Sequence, residues 1–240
     1  FGYCLSLVRR KVFLEKGLGM SGFIEQFLNI QIMVAAWPTL LRGLAVTLML
    51  CLAVIPMGLF GGLVAALASN SNYTIIRWPT IAFVDFFRSI PPLVLLIFVY
   101  SGLPFAGIRL SPFLAVVIAF FLNNSAYYGE ILRAGLNSVG SGQTEAARST
   151  GLNVVQTHIY VILPQAVRNV LPDLLSNTIE VIKLTSLASV VSLAEILYSA
   201  DMARSITYNA SPIVLAAFIY LIILWPLVRL VSQFGKNLDV

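Results

Sequence analysis

Between Arg42 and Arg77 the chain carries no charged residue. That stretch exceeds the roughly 20 apolar residues that cross a bilayer's hydrocarbon as one helix. A segment committed to lipid constrains everything after it, because only structures that satisfy each backbone N–H and C=O internally survive there. Residues 110–128 and 212–227 are also free of charge. The whole chain agrees, with 59% hydrophobic and 10% charged residues, against about 45–50% and about 25% in soluble domains. The expected fold class is all-α, a polytopic integral membrane helical bundle with about five transmembrane helices.

The net charge of +5 is scattered rather than gathered into a basic patch, so no nucleic-acid partner is expected. Cys4 and Cys51 make neither a metal spacing nor a disulfide framework. Residues 1–37 read as an N-terminal tail and interfacial segment, residues 38–235 as the membrane domain, and 236–240 as a C-terminal tail. In the first of these, Arg9, Arg10, Lys11 and Lys16 precede Met20, a plausible natural start. A signal peptide is the rival reading there, although no good cleavage site follows the basic cluster.

Five helices are expected along the chain. The first spans residues 40–68, with Pro56 as a kink and Gly58 and Gly62 spaced for close approach of a neighbour. The second spans 79–103, where Asp85 and Arg88 share a face and pair or snorkel ahead of Pro91 and Pro92. The third covers 110–128 and is followed by a Glu130 and Arg133 pair. The fourth, 165–184, carries Arg168, Asp173, Glu180 and Lys183. Ionisable groups at membrane depth face a bundle interior or a wet cavity, so this helix should lie centrally. After an amphipathic segment, 188–209, with Glu195, Asp201 and Arg204, the fifth helix covers 212–227.

Two sets of polar residues stand out. Glu180 and Lys183, three apart and so on nearly one face, suit the ammonium and carboxylate of a zwitterion, or else neutralise each other; Thr185 and Ser186 add neutral hydrogen-bonding groups nearby. The other set is a polar island. Glu145, Ala146, Ala147 and Arg148 are good helix formers, and residues 141–144 supply a capped start. Gly151 suits a helix end that needs positive φ, Leu152 can cover that end, and Pro164 punctuates the entry to the next element. His158, without a metal-ligand spacing, reads as an interfacial residue.

This island resembles the EAA motif of bacterial ABC-importer permeases: Glu-Ala-Ala, three residues, Gly, nine residues, Ile, one residue, Leu-Pro. Glu145, Ala146, Ala147, Gly151, Leu163 and Pro164 match in register, with Val161 at the Ile position. Further blocks resemble polar amino-acid permeases: residues 40–48, 87–93, 100–104, 126–135 and 183–187, with Ser89 and Ile90 replacing Gly and Thr. The resemblance covers residues 38–235. It implies a type I importer fold and a cytoplasmic coupling helix docked in a groove of a separate ATPase. It also implies a second permease subunit, identical or homologous, an extracytoplasmic substrate-binding protein, a small polar solute, contact with membrane lipid and a place in the bacterial cytoplasmic (inner) membrane.

No Gly-x-x-x-x-Gly-Lys-Ser/Thr loop occurs, so the chain is not expected to be an enzyme or to hold a cofactor; ATP and Mg would be bound by the partner ATPase. The resemblance places the EAA loop and C-terminus inside and the N-terminus outside. Positive charge favours that orientation seven to four without residues 1–19, and opposes it once the four basic residues there are counted outside. The competing class is an ion-coupled secondary transporter of small polar solutes, which would show inverted repeats; a membrane scaffold would leave the EAA register unexplained.

Overall fold

The computed structural model describes residues 20–238; the readings made for residues 1–19, Cys4 and the basic cluster among them, lie outside the described residues. The described residues contain no strand. Their helices are α1 (Met20–Phe27), α2 (Ile30–Ser69), α3 (Thr74–Ser89), α4 (Pro92–Ile97), α5 (Pro112–Ser138) and α6 (Ser141–Ser149). They continue with α7 (Val154–Thr157), α8 (Leu163–Asn169), α9 (Leu171–Leu184), α10 (Ile196–Thr207) and α11 (Ser211–Leu238). Runs long and apolar enough to cross a membrane lie in Ser21–Ser69, Pro112–Ser138, Leu171–Val191 and Ser211–Gln233, and the bent pair Thr74–Ser89 with Pro92–Ala106 makes a fifth.

The expected second helix is thus broken, with a bend of 100°. Residues before proline are pushed to extended backbone. Ile90 (ψ 128°) and Pro91 (ψ 132°) are both extended, and the helix restarts at Pro92, whose missing N–H costs nothing in a first turn. The fourth helix is also divided. Val170 leaves helical geometry (φ −107°, ψ 12°), so Gln165 and Arg168 belong to α8 and only the later charges to α9. The first helix starts at Ile30 rather than residue 40, because Asn29 caps it: its Oδ1 accepts the Ile32 N–H at 3.2 Å. The third runs on to Ser138, so Glu130 and Arg133 are helical.

Two π-helical turns interrupt the α geometry, at Phe98–Gly102 and His158–Ile162. Each is followed by a Leu-Pro pair, Leu103-Pro104 and Leu163-Pro164. Proline has no N–H, and its ring clashes with the carbonyl four residues back. A widened turn accommodates both, and the Leu163 N–H reaches back five residues to the His158 carbonyl.

The chain forms two compact units. Among the described residues the larger comprises 47–193 and 224–238 and is organised around α5, whose Phe120 and Tyr128 are fully buried. Here α2 crosses α5 through glycines: a Cβ on Gly62 would lie 2.5 Å from the Tyr128 Cβ and 2.8 Å from the Gly129 nitrogen. Small residues at membrane helix contacts allow such approach.

The smaller unit contains the described residues up to 46 together with 194–223, with Leu40, Ile196, Ala200, Ala216 and Ile219 in its core. Its buried ionisable group is Glu195, 0% exposed. The carboxylate caps α10, accepting the N–H groups of Leu197 (2.9 Å) and Tyr198 (2.7 Å), and it accepts the Tyr220 hydroxyl at 3.2 Å. Burial pushes this carboxyl above its ordinary value, outweighing the hydrogen bonds that lower it. Gly43 packs so closely that a Cβ there would lie 2.7 Å from the Glu195 carbonyl oxygen.

Candidate functional site

The EAA residues gather on α6 and its continuation. Glu145 and Ala146 are exposed, and Ala147 alone is buried on this helix. The expected side-chain cap is not formed: Gly140 holds the N-cap position, and the Gln143 N–H bonds to its carbonyl at 3.0 Å. The C-terminal end is closed locally. Thr150 Oγ1 donates to the Ala147 carbonyl (2.8 Å), Ser149 Oγ to that of Glu145 (2.9 Å), and the Arg148 guanidinium to that of Leu152 (3.3 Å). Gly151 follows at φ +88° with no atom within 4 Å of where a Cβ would stand. Backbone conformation, not space, therefore requires glycine there.

Beyond Gly151 the chain re-enters helix through a capping box that sequence inspection missed, although an Asn followed three residues later by Gln is its usual signal. Asn153 Oδ1 accepts the Gln156 N–H at 2.9 Å, and Gln156 Oε1 accepts the Asn153 N–H at 3.0 Å. After the π turn, Gln165 Nε2 donates to the Val161 carbonyl (2.8 Å) and to Gln143 Oε1 (3.3 Å), tying α6 to this turn. Helix α8 is then clamped to the end of α5. A Cβ on Gly135 would lie 2.7 Å from the Ala166 carbonyl oxygen, and Asn169 Nδ2 donates to Ser138 Oγ at 2.8 Å.

Two surface features adjoin this segment. Val154, Val155, Ile159 and Tyr160 form an exposed apolar group on α7 and the π turn. A cavity of about 410 Å³ is lined by Asn70, Asn72, Tyr73, Thr144 and His158 among others, so His158 stands beside α6.

The candidate solute-facing residues lie at the C-terminal end of α9. Glu180 and Lys183 form an ion pair, with 60% and 48% of their side chains exposed. Thr185 Oγ1 donates to the Ile182 carbonyl (2.6 Å) and Ser186 Oγ to that of Lys183 (2.8 Å), so both hydroxyls close their own helix end. Sequence inspection overlooked Asn177, one turn before Glu180, whose Nδ2 is buried close to the Tyr128 hydroxyl. Beside it, the Thr178 and Tyr128 hydroxyls meet at 2.8 Å across α9 and α5.

A second polar cluster holds the break between α3 and α4 against α5. The Arg133 guanidinium grips both Glu130 oxygens, Nε at 2.9 Å. Arg88, expected to pair with Asp85 or to snorkel, instead stands 3.9 Å from Glu130 and over the Tyr127 ring at 5.6 Å. Asn123 Nδ2 donates to the Phe87 carbonyl at 3.0 Å. No group of three or more His, Cys, Asp or Glu suited to a metal ion occurs among the described residues.

An all-helical polytopic membrane protein, with a solvent-exposed EAA helix clamped to its central span, is of the transporter permease class. Residues 58–239 match the family described as "Binding-protein-dependent transport system inner membrane component", and the chain belongs to that family. Among curated relatives, the "Probable amino-acid ABC transporter permease protein YckA" of Bacillus subtilis (strain 168) is 35% identical over 217 residues, 90% of this chain and 94% of that protein. The arginine transport system permease protein ArtQ of the same organism is 33% identical over 204 residues, 84% and 91% of the two chains. A solved structure described as an amino acid ABC transporter with histidines superposes with a TM-score of 0.77, at 35% identity, covering 85% of this chain and 96% of the other. The protein is a transmembrane permease with the type I ABC-importer fold.

Proposed function

We propose that this permease carries amino acids or related polar solutes across the bacterial cytoplasmic membrane, driven by a separate ATPase that docks on the exposed side of α6, at Glu145 and Ala146, with Ala147 seating the helix and Gly151 shaping the turn that follows it. A second permease subunit completes the pore, and an extracytoplasmic binding protein delivers the solute. ATP and Mg belong to the ATPase; this chain performs no chemical step. The observation that carries the coupling role is mechanical. Helix α6 is exposed for docking, while Gln143, Gln165 and the α8 contact at Gly135, Leu163 and Pro164 included in that path, link it to α5. Displacement of α6 by closing ATPases is then passed to the central span instead of being absorbed in a loop, biasing the bundle between its two access states.

The amino-acid reading is supported by the relatives described above and by the polar row of Asn177, Glu180 and Lys183 on α9. Such a row in a membrane-spanning helix requires a wet cavity or a partner. Glu180 matches an ammonium and Lys183 a carboxylate, with Thr185 and Ser186 at similar depth.

Gly151→Asp tests the coupling. An aspartate is strained at φ +88°, and its charge falls at a helix C-terminus, where the dipole disfavours it. The variant should insert and fold, yet co-purify poorly with its ATPase and lose ATP-driven uptake in proteoliposomes. Assembly with transport at the wild-type rate would remove the coupling role from this segment.

A further inference from the structure

Residues 70–73, the turn between α2 and α3, face the start of α6 across the cavity of about 410 Å³ that His158 borders. Leu136 and Ile162, both buried, give it apolar lining, and Asn70, Asn72, Tyr73 and Thr144 supply polar groups around them. Among the described residues no Asp, Glu, Lys or Arg lines this cavity. An ion leaving water needs a countercharge, so a phosphate, a phospholipid headgroup or a zwitterion is a poor occupant.

The turn is held in shape by its own bonds. Asn70 Nδ2 donates to Asn137 Oδ1 on α5 at 3.2 Å, and Ser71 Oγ accepts the Tyr73 N–H at 3.2 Å. Tyr73 is 71% exposed. An aromatic side chain displayed on a fixed turn suits an interface anchor, because little backbone freedom remains to be lost on binding. The walls also have a defined hydrogen-bonding character. The Val154 carbonyl can only accept, so His158 Nδ1, 2.9 Å away, donates to it, and the neutral ring then offers Nε2 as an acceptor. Asn70, with an amide N–H spent on Asn137, offers Oδ1 as another. The matching occupant is uncharged, largely apolar and a hydrogen-bond donor: a loop tip carrying tyrosine, tryptophan, asparagine or glutamine.

We propose that this cavity is a second docking point for the ATPase, an inference that rests on the reading of α6 as the first. Continuity favours the ATPase over any other protein. Thr144 is half-buried in the cavity wall and Glu145 is exposed beside it, so a partner lying over Glu145 is about 1.5 Å of rise and about 100° of turn from that wall. The two docking points act on different elements. Force on α6 reaches α5 by way of Gln143, Gln165 and α8. The turn ends one membrane crossing and begins the next, so force on it reaches α2 and α3 directly and α5 through the bond between Asn70 and Asn137. A partner holding both sites therefore moves α2, α3 and α5 together.

The test uses the full-length permease co-expressed with its ATPase, in a Cys4→Ser, Cys51→Ala background. One cysteine, introduced as Asn72→Cys or Ser141→Cys, carries a benzophenone maleimide, and the irradiated complex is resolved by gel electrophoresis and mass spectrometry. Both positions should cross-link to the ATPase, Asn72 at the cavity and Ser141 at the start of α6. Cross-linking from Ser141 alone overturns the second docking point and leaves docking on α6 standing. Cross-linking from neither position overturns both. Adducts to lipid alone at Asn72 overturn the proposal as well. A blocking variant, Asn72→Trp, fills the cavity from its rim and should weaken binding of the ATPase to the detergent-solubilised permease about tenfold, with the permease melting as the wild type does. ATPase binding at wild-type affinity overturns the proposal, and the cross-link decides the matter if this variant fails to fold.

Discussion

Glu180 and Glu195 are both carboxylates beside apolar helices, and the fold meets their charge in opposite ways. Glu180 is paired with Lys183 and leaves 60% of its side chain exposed. Glu195 is wholly buried and is held by two backbone N–H groups and a tyrosine hydroxyl. An exposed ion pair contributes little, because water already solvates both partners. A buried cap is costly to disturb, because every group it satisfies is left without water. The first carboxylate can therefore be exchanged at little structural cost, and the second is bound to architecture.

The largest expected effect follows from Glu195→Leu, which strips the acceptor from all three donors. The loss should reach about 3 kcal/mol or more, read as aggregation or a lowered melting temperature in detergent. Melting at the wild-type temperature would break the comparison. Gly43→Ala probes the same site from the facing helix. Alanine is the better helix former by about 1 kcal/mol, yet its methyl group would meet the Glu195 carbonyl, so a net loss of about 1–3 kcal/mol is expected in the same melt.

Glu195→Gln should cost less, about 1 kcal/mol near neutral pH, since the amide keeps an acceptor oxygen. Its pH dependence sharpens the point. A carboxyl whose folded-state value is raised contributes stability that is complete below its unfolded value, about 4.3, and is lost as pH rises through the folded value. The wild type should gain on the Gln variant as pH falls through that window. No gain would mean that the carboxylate stays ionised.

The smallest stability effect belongs to Glu180→Gln, within about 0–1 kcal/mol. In uptake assays the same variant should raise the solute concentration needed for half-maximal transport while the complex assembles normally. Lost assembly would make the Glu180 and Lys183 pair structural, and unchanged transport would remove Glu180 from the solute path.

Three of the membrane crossings and the turn at Gly151 were legible because each depends on local chemistry: charge-free length for the crossings, and the φ that glycine tolerates for the turn. What escaped depended on partners distant in sequence. Glu195 reads as one polar residue of an amphipathic segment, and only Tyr220 and Gly43 reveal it as a core group. Arg88 reads as pairing with its neighbour Asp85 or snorkelling, whereas Tyr127 and Glu130 on α5 claim it. The break after Ser89 is different, since Pro91 and Pro92 announced it locally and were outweighed by the apolar run that follows.

The two π turns before Leu103-Pro104 and Leu163-Pro164 each have a consequence in angular phase. A π turn absorbs about one residue more than an α turn over the same span, and each residue of an α-helix is worth about 100° of rotation. If His158–Ile162 tightened to α pitch with all its residues in place, α8 would rotate by that angle, carrying Ala166 and Val170 off Gly135 and bringing polar neighbours round to α5. The surplus residue thus sets which side of α8 meets the central span, and Pro164, with no N–H to give to an α-helical bond, holds the turn at the wider pitch.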